Sequence, residues 1–164
     1  SDIMVQAMEL PADIHSALTV LDDRLVEALQ HGYIRLVSST WLLAQPSDYR
    51  LQKRQQLEAL DVGATSPLLQ PDDAVALVRK GNRGVGVVSH GWLSAGDPDP
   101  AGVRVRLLRR TLQERPYIEA VFFDFQCLFQ SPRTDVQDLA FKGSLDVVSA
   151  SQPLALLLCL GDVA

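Results

Sequence analysis

Apolar residues at Ile14, Leu18, Leu21, Leu25 and Leu29 recur at spacings of three and four, with Asp23, Arg24 and Glu27 on the other side. That period predicts an amphipathic helix with one face turned to a core, and Gly32 after His31 predicts its end. The run Tyr33–Val37 fits either a short strand or further helix. An apolar knot, Trp41-Leu42-Leu43, precedes the turn signal Gln45-Pro46-Ser47-Asp48. Residues 49–60 are polar and helix-favouring and carry Arg50, Lys53, Arg54 and Glu58, whereas residues 61–70 read as loop, with Gly63 and Ser66-Pro67. Pro71-Asp72-Asp73 opens a short helix and Lys80-Gly81-Asn82 closes it, placing proline and acids at the positive end and a cation then glycine at the negative one.

Beyond residue 83 the period changes. Gly84–Ser89 is a β-branched run between turn formers. Pro100–Arg115 reads as a helix stopped by Pro116, and on its wheel Val105, Leu107, Leu108 and Leu112 form the apolar arc. Ile118–Asp124 is a second strand, Arg133 to about Ser149 a second helix capped by Ser131 or Thr134, and Pro153–Leu160 a third, wholly apolar strand. Strands apolar on both faces and alternating with helices predict parallel βαβ units with right-handed crossovers. The expected fold is therefore α/β: a parallel sheet flanked by helices over residues 83–164, with residues 1–82 as an N-terminal helical extension packing on it. No repeat or low-complexity tract interrupts either part.

Composition narrows the partners. The 164 residues are 47% apolar and 21% charged, enough for one core without a metal or disulfide staple. A formal charge of −5 disfavours an electrostatically driven nucleic-acid binder. No apolar run approaches the roughly 20 residues of a membrane span, and no secretory leader pattern is visible. Cys127 and Cys159 each sit in apolar surroundings and read as buried thiols, which leads us to expect an intracellular, cytoplasmic setting.

Ligands of open parallel sheets bind outside the carboxyl ends of the strands. Three segments are expected there: Ser89-His90-Gly91-Trp92, Asp124-Phe125-Gln126-Cys127 and Gly161-Asp162. His90 is a candidate general base or polar ligand contact, because a neutral imidazole titrates near physiological pH; the plainer reading is a histidine bonded to a backbone carbonyl. Asp124 ends a buried strand, where a carboxylate is either hydrogen-bonded or functional. Trp92 offers a stacking surface or a wedge between loop and core. Gln126 offers an orienting amide. Arg104 falls inside the apolar arc of its helix, where it either snorkels to water or clamps an anion, with Asp97, Asp99 or Asp124 as possible partners. Arg106, Arg109 and Arg110 lie opposite, as a solvated face or a protein contact.

Several chemistries are excluded by spacing. Ser89 and His90 are strand neighbours whose side chains diverge, and no G-x-S-x-G elbow exists, which argues against a hydrolase triad. The glycines of Gly81–Gly86 precede a strand instead of following one, so they form neither a dinucleotide fingerprint nor a P-loop. No cysteine and histidine spacing fits zinc and no carboxylate cluster fits calcium, so neither a metal nor a cofactor is expected.

Val87-Val88-Ser89-His90-Gly91-Trp92-Leu93 followed by Asp97-Pro98-Asp99-Pro100-Ala101-Gly102 resembles the "SH-x-W-L…PDP-x-G" signature of TIR-like domains of algal and other microbial proteins. Ile118–Gln130, with Asp124, Cys127 and Gln130 in place, resembles the "W-I-D-x-x-C-I-N-Q" segment of heterokaryon-incompatibility (HET) domains. The likeness spans Gly84 to Val148. It implies a flavodoxin-like fold, and either assembly of signalling complexes or cleavage of the glycosidic bond of NAD by a glutamate. By the same likeness Ser89, His90, Trp92, Arg104 and Asp124 would surround a nucleotide, with Asp124 and His90 as catalytic candidates and Ser89, Trp92, Arg104 and Gln126 as ligand contacts. The chain departs from the pattern in three ways: Glu114 and Glu119 fall at the wrong side of the sheet, Gly91 replaces a basic residue, and the core ends soon after its third strand. The leading expectation is thus a signalling or protein-interaction module that joins a protein partner or itself, without strong catalysis. An NAD hydrolase and a small structural subunit of a larger assembly are the alternatives.

Overall fold

A computed structural model describes residues 12–61, 65–88, 96–145 and 147. The expected third strand, Pro153–Leu160, lies outside these residues, as do Ser89, His90, Trp92 and Cys159.

The leading periodicity forms α1 (Ala12–Gln30), which buries Leu25, Val26, Ala28 and Leu29. Gly32 ends it at φ +71°, a left-handed conformation that suits glycine. The ambiguous segment resolves as extended chain leading into β1 (Val37–Ser38), and the apolar knot becomes α2 (Ser39–Ala44), whose first turn is capped by the Ser38 hydroxyl accepting from Trp41 N. The polar stretch 49–60 was expected to be helical throughout. Helix is confined to α3 (Arg54–Ala59), because Tyr49 is drawn into the core and the residues after it remain irregular. α4 (Pro71–Arg79) starts on its proline, carries Asp72 and Asp73 in the first turn and Arg79 in the last, and packs on α1, where Arg79 pairs with Asp23 at 2.9 Å.

Next come β2 (Val85–Val88), α5 (Val103–Glu114), β3 (Ala120–Phe123), α6 (Asp124–Cys127) and a helix over residues 135–145, α7. β2 and β3 are parallel, in the register Val85↔Ala120 to Val88↔Phe123, as the βαβ pattern requires. The sheet as a whole is mixed. β1 pairs antiparallel with the other edge of β3, giving the order β1-β3-β2. The N-terminal half therefore contributes a strand as well as helices, and all of β3 is buried in one core with Leu29, Ile34, Leu36, Leu42 and Leu57. The architecture is mixed α/β, a small open sheet flanked by helices.

Two glycines mark close approaches. A β-carbon on Gly143 of α7 would lie 2.5 Å from the Tyr33 ring, so this helix meets the α1–β1 connection only because the side chain is absent. Gly102, at φ +68°, precedes α5 and lies against the Arg50 guanidinium. α5 consequently begins at Val103, not at Pro100.

Candidate functional site at the strand ends

Because β2 and β3 run the same way, their carboxyl ends open onto one rim. Asp124 stands there as the first residue of α6. Its Oδ1 accepts from Phe125 N at 2.6 Å, while its carbonyl accepts from Leu128 N and from the Gln130 amide. Gln130 also donates to the Leu128 carbonyl at 3.1 Å and so fixes the turn that follows.

A cavity of about 470 Å³ lies at this rim, walled by Asp124, Gln130, Lys53, Arg133, Phe141 and Gly96. Arg133 lies 4.1 Å over the Phe141 ring and pairs with Asp138 at 3.2 Å. Lys142 and then Arg133, both hydrogen-bonded to it, hold the Asp138 carboxyl below its ordinary range. Asp138 thus orients Arg133 instead of opposing it in the cavity. The rim presents two cations, an amide, one carboxylate and an aromatic wall. Such a set can hold a polar ligand with a planar body. Among the described residues it lacks the second carboxylate that acid–base cleavage of a glycosidic bond would use.

The other described candidates, Gln126 and Arg104, lie apart from this cavity. Ser89, His90 and Trp92 lie outside the described residues. Gln126 is 0% exposed and turned inward, where its amide donates to the Tyr49 hydroxyl at 3.0 Å, and it does not wall the cavity. Burial raises the Tyr49 pKa, partly offset by the hydrogen bonds from Gln126 and the Gln52 backbone. Arg104 lines a separate groove of about 660 Å³ between β2 and α5, together with Val85, Val88, Leu108 and Leu112. Arg104 and Asp124 therefore serve different concavities.

Three structural roles escaped the sequence reading. Asp99, 1% exposed, accepts from Arg104 N at 3.0 Å and Val105 N at 2.9 Å, so its carboxylate caps α5. An aspartate a few residues before an apolar helix was the available signal. Arg109, read as part of a solvated or partner-binding face, donates to the carbonyls of Leu43, Gln45 and Pro46 and ties α5 to the end of α2. Arg54 is buried against α6, and no pattern distinguishes it from its exposed neighbours.

Cys127 is a buried free thiol, donating to Val121 O at 3.4 Å and accepting from Phe123 N at 3.3 Å. Burial pushes its pKa up to about 12, so little nucleophilic thiolate forms near neutrality. Because the folded value lies above the unfolded one, its contribution to stability is complete below about pH 9 and is lost as the pH rises towards 12. Ellman's reagent added to native Cys159→Ser protein at pH 8 is expected to label Cys127 only at the rate of unfolding. Labelling within the mixing time would show the thiol to be accessible.

No metal-binding cluster of histidine, cysteine or acidic residues occurs among the described residues, and none of their helices is long and apolar enough to cross a membrane. Comparison of the chain with protein-family models, curated proteins and solved structures finds no match.

Proposed function

We propose that this chain is a TIR/HET-like interaction module that holds a polar ligand at the carboxyl ends of β2 and β3 and does not turn it over. One observation carries the reading: the rim cavity combines Lys53, Arg133 and Gln130 with a single described carboxylate, Asp124, which is engaged by the backbone. Glycosidic cleavage needs a carboxylate free to support developing positive charge. Glu114 and Glu119 do not supply it, since they pair with Arg110 and Lys80 away from the cavity. Beside the rim, α7 exposes Val136 (76%) and Leu139 (68%) three residues apart, an apolar spot suited to a protein contact.

Purified protein incubated with NAD for hours is expected to release no nicotinamide above a buffer blank. In parallel, Val136→Asp with Leu139→Asp is expected to leave the melting temperature within about 2 °C, as surface changes do, and to abolish any self-association seen by sedimentation. Steady nicotinamide release that disappears in Asp124→Asn would replace this reading with the hydrolase one, which the presence of a carboxylate at the cavity favours.

A further inference from the structure

The groove of about 660 Å³ between α5 and β2 is cationic at both ends and apolar between them. Because a helical crossover joins the two parallel strands, α5 runs back against the direction of β2. Arg104, in the first turn of α5, therefore stands near the Val88 end of the groove, and Arg115, the C-cap, near the Val85 end. About three helical turns part them, which puts both on one side of the helix about 16 Å from each other. Arg83 joins Arg115, with a left-handed φ of +58° that arginine rarely adopts. Val85, Val87, Leu108 and Ile118 line the middle, with Leu107 59% exposed at the wall. Among the described residues no acidic side chain lines this groove, in a chain whose net charge is −5.

We infer that this groove docks an extended segment of a partner protein, apolar in its middle and carrying a carboxylate at each end. Charge complementarity selects the ends. A guanidinium has five N–H donors, so each arginine can take a carboxylate while keeping a bond it already makes, as Arg83 has with Asp22 at 3.0 Å. Spacing selects the length: at about 3.3 Å per residue, about five residues of extended chain span the distance from Arg104 to Arg115. The strand selects the backbone form. Ala120 N donates to Gly84 O, so Gly86 and Val88 turn their backbone groups towards β3 and Val85 and Val87 turn theirs outward, where an extended chain can bond to them. Arg104, whose place inside the apolar arc of α5 marks it as an anion clamp in the sequence, thereby gains an acceptor. The inference concerns this face and does not depend on what the rim cavity binds.

Fluorescence anisotropy of a blocked, dye-labelled peptide titrated with the full chain tests it. The peptide carries glutamate at each end and a short run of alternating valine and threonine between. Binding is expected, and replacing either glutamate by glutamine is expected to weaken it about ten-fold. Arg104→Gln and Arg115→Gln are each expected to cost about as much. Each variant is further expected to become indifferent to one glutamate and to stay sensitive to the other, a pairing that damage to the fold would not produce. The exposed Arg106→Gln, outside the groove, is expected to change nothing. Should Arg104→Gln not fold, Leu107→Glu on the exposed wall takes its place and is expected to abolish binding. Equal affinity for the glutamate and glutamine peptides overturns the inference, as does equal weakening by Arg106→Gln. So does a full chain that binds no peptide at about 1 mM, which points to cover by the chain itself. Self-association that Leu107→Glu abolishes also overturns it, and points to a second copy.

Discussion

Arg54→Ala is expected to lower the unfolding free energy by about 3–5 kcal/mol, the range for removing one partner from a buried charged network. The guanidinium is 3% exposed and donates to Gly32 O and Tyr33 O, each at 2.7 Å, and to Cys127 O at 3.3 Å. It pairs with Glu58 at 3.0 Å and lies 3.8 Å over the Phe129 ring. One side chain thereby joins the end of α1, α3 and the end of α6, the helix that begins with Asp124. Desolvation lowers its pKa and the Glu58 charge raises it. Removing it takes a donor from three carbonyls, that of Cys127 in a buried contact, and an orphaned buried acceptor costs about 1–3 kcal/mol. Arg54→Lys is expected to recover less than half, because one ammonium cannot reproduce the planar fork. Urea unfolding followed by circular dichroism measures the difference, with the exposed Arg110→Ala as a control expected to change stability by less than about 0.5 kcal/mol. A loss below about 1 kcal/mol for Arg54→Ala would mean that these carbonyls find other donors.

Asp99→Ala is expected to cost about 2–3 kcal/mol. This exceeds a typical exposed cap because the carboxylate is buried and serves two N–H groups at the start of α5. Asp99 N also donates to Asp97 Oδ1 at 2.9 Å, so the approach to α5 is fixed before the helix begins. Asp99→Asn keeps one acceptor and is expected to lose about half as much, a comparison that separates capping from packing. Thermal melts of the pair suffice. Equal losses for alanine and asparagine would show that the negative charge itself holds the helix start. Asp99 also supplies a physical account of the Asp-Pro-Asp-Pro segment: it shapes the entry to α5, with no ligand required.

The elements that were legible in the sequence are those whose signal is local. Ile14 to Leu29 repeats often enough to specify α1, Pro71-Asp72-Asp73 and Lys80-Gly81 mark both ends of α4, and the apolar run before Asp124 marks a central strand. The parallel pair followed from strand–helix–strand order. β1 was not legible, because two residues carry no period and their pairing with Val121 and Ala120 is set by the third dimension. Arg54 and Arg109 look like surface cations in the chain and become donors to carbonyls only once distant segments close around them. At the site, the position of Asp124 was legible from the strand rule. Lys53 and Arg133 were not, since they reach the cavity from separate loops before α3 and α7. Gln126 and Asp124, two residues apart, diverge because the chain enters a helical turn at Asp124, which sends one side chain to the rim and the other into the core.

The whole account stands on β2 and β3 lying side by side with their carboxyl ends together. Backbone nuclear Overhauser contacts in isotope-labelled protein report this directly. Short amide-to-α contacts are expected linking Gly86 with Ala120 to Phe122 in parallel register, and linking Val37 with Val121 across the antiparallel pair. Contacts running in the opposite sense between β2 and β3, or none between them, would place the two strand ends at opposite poles and remove the rim.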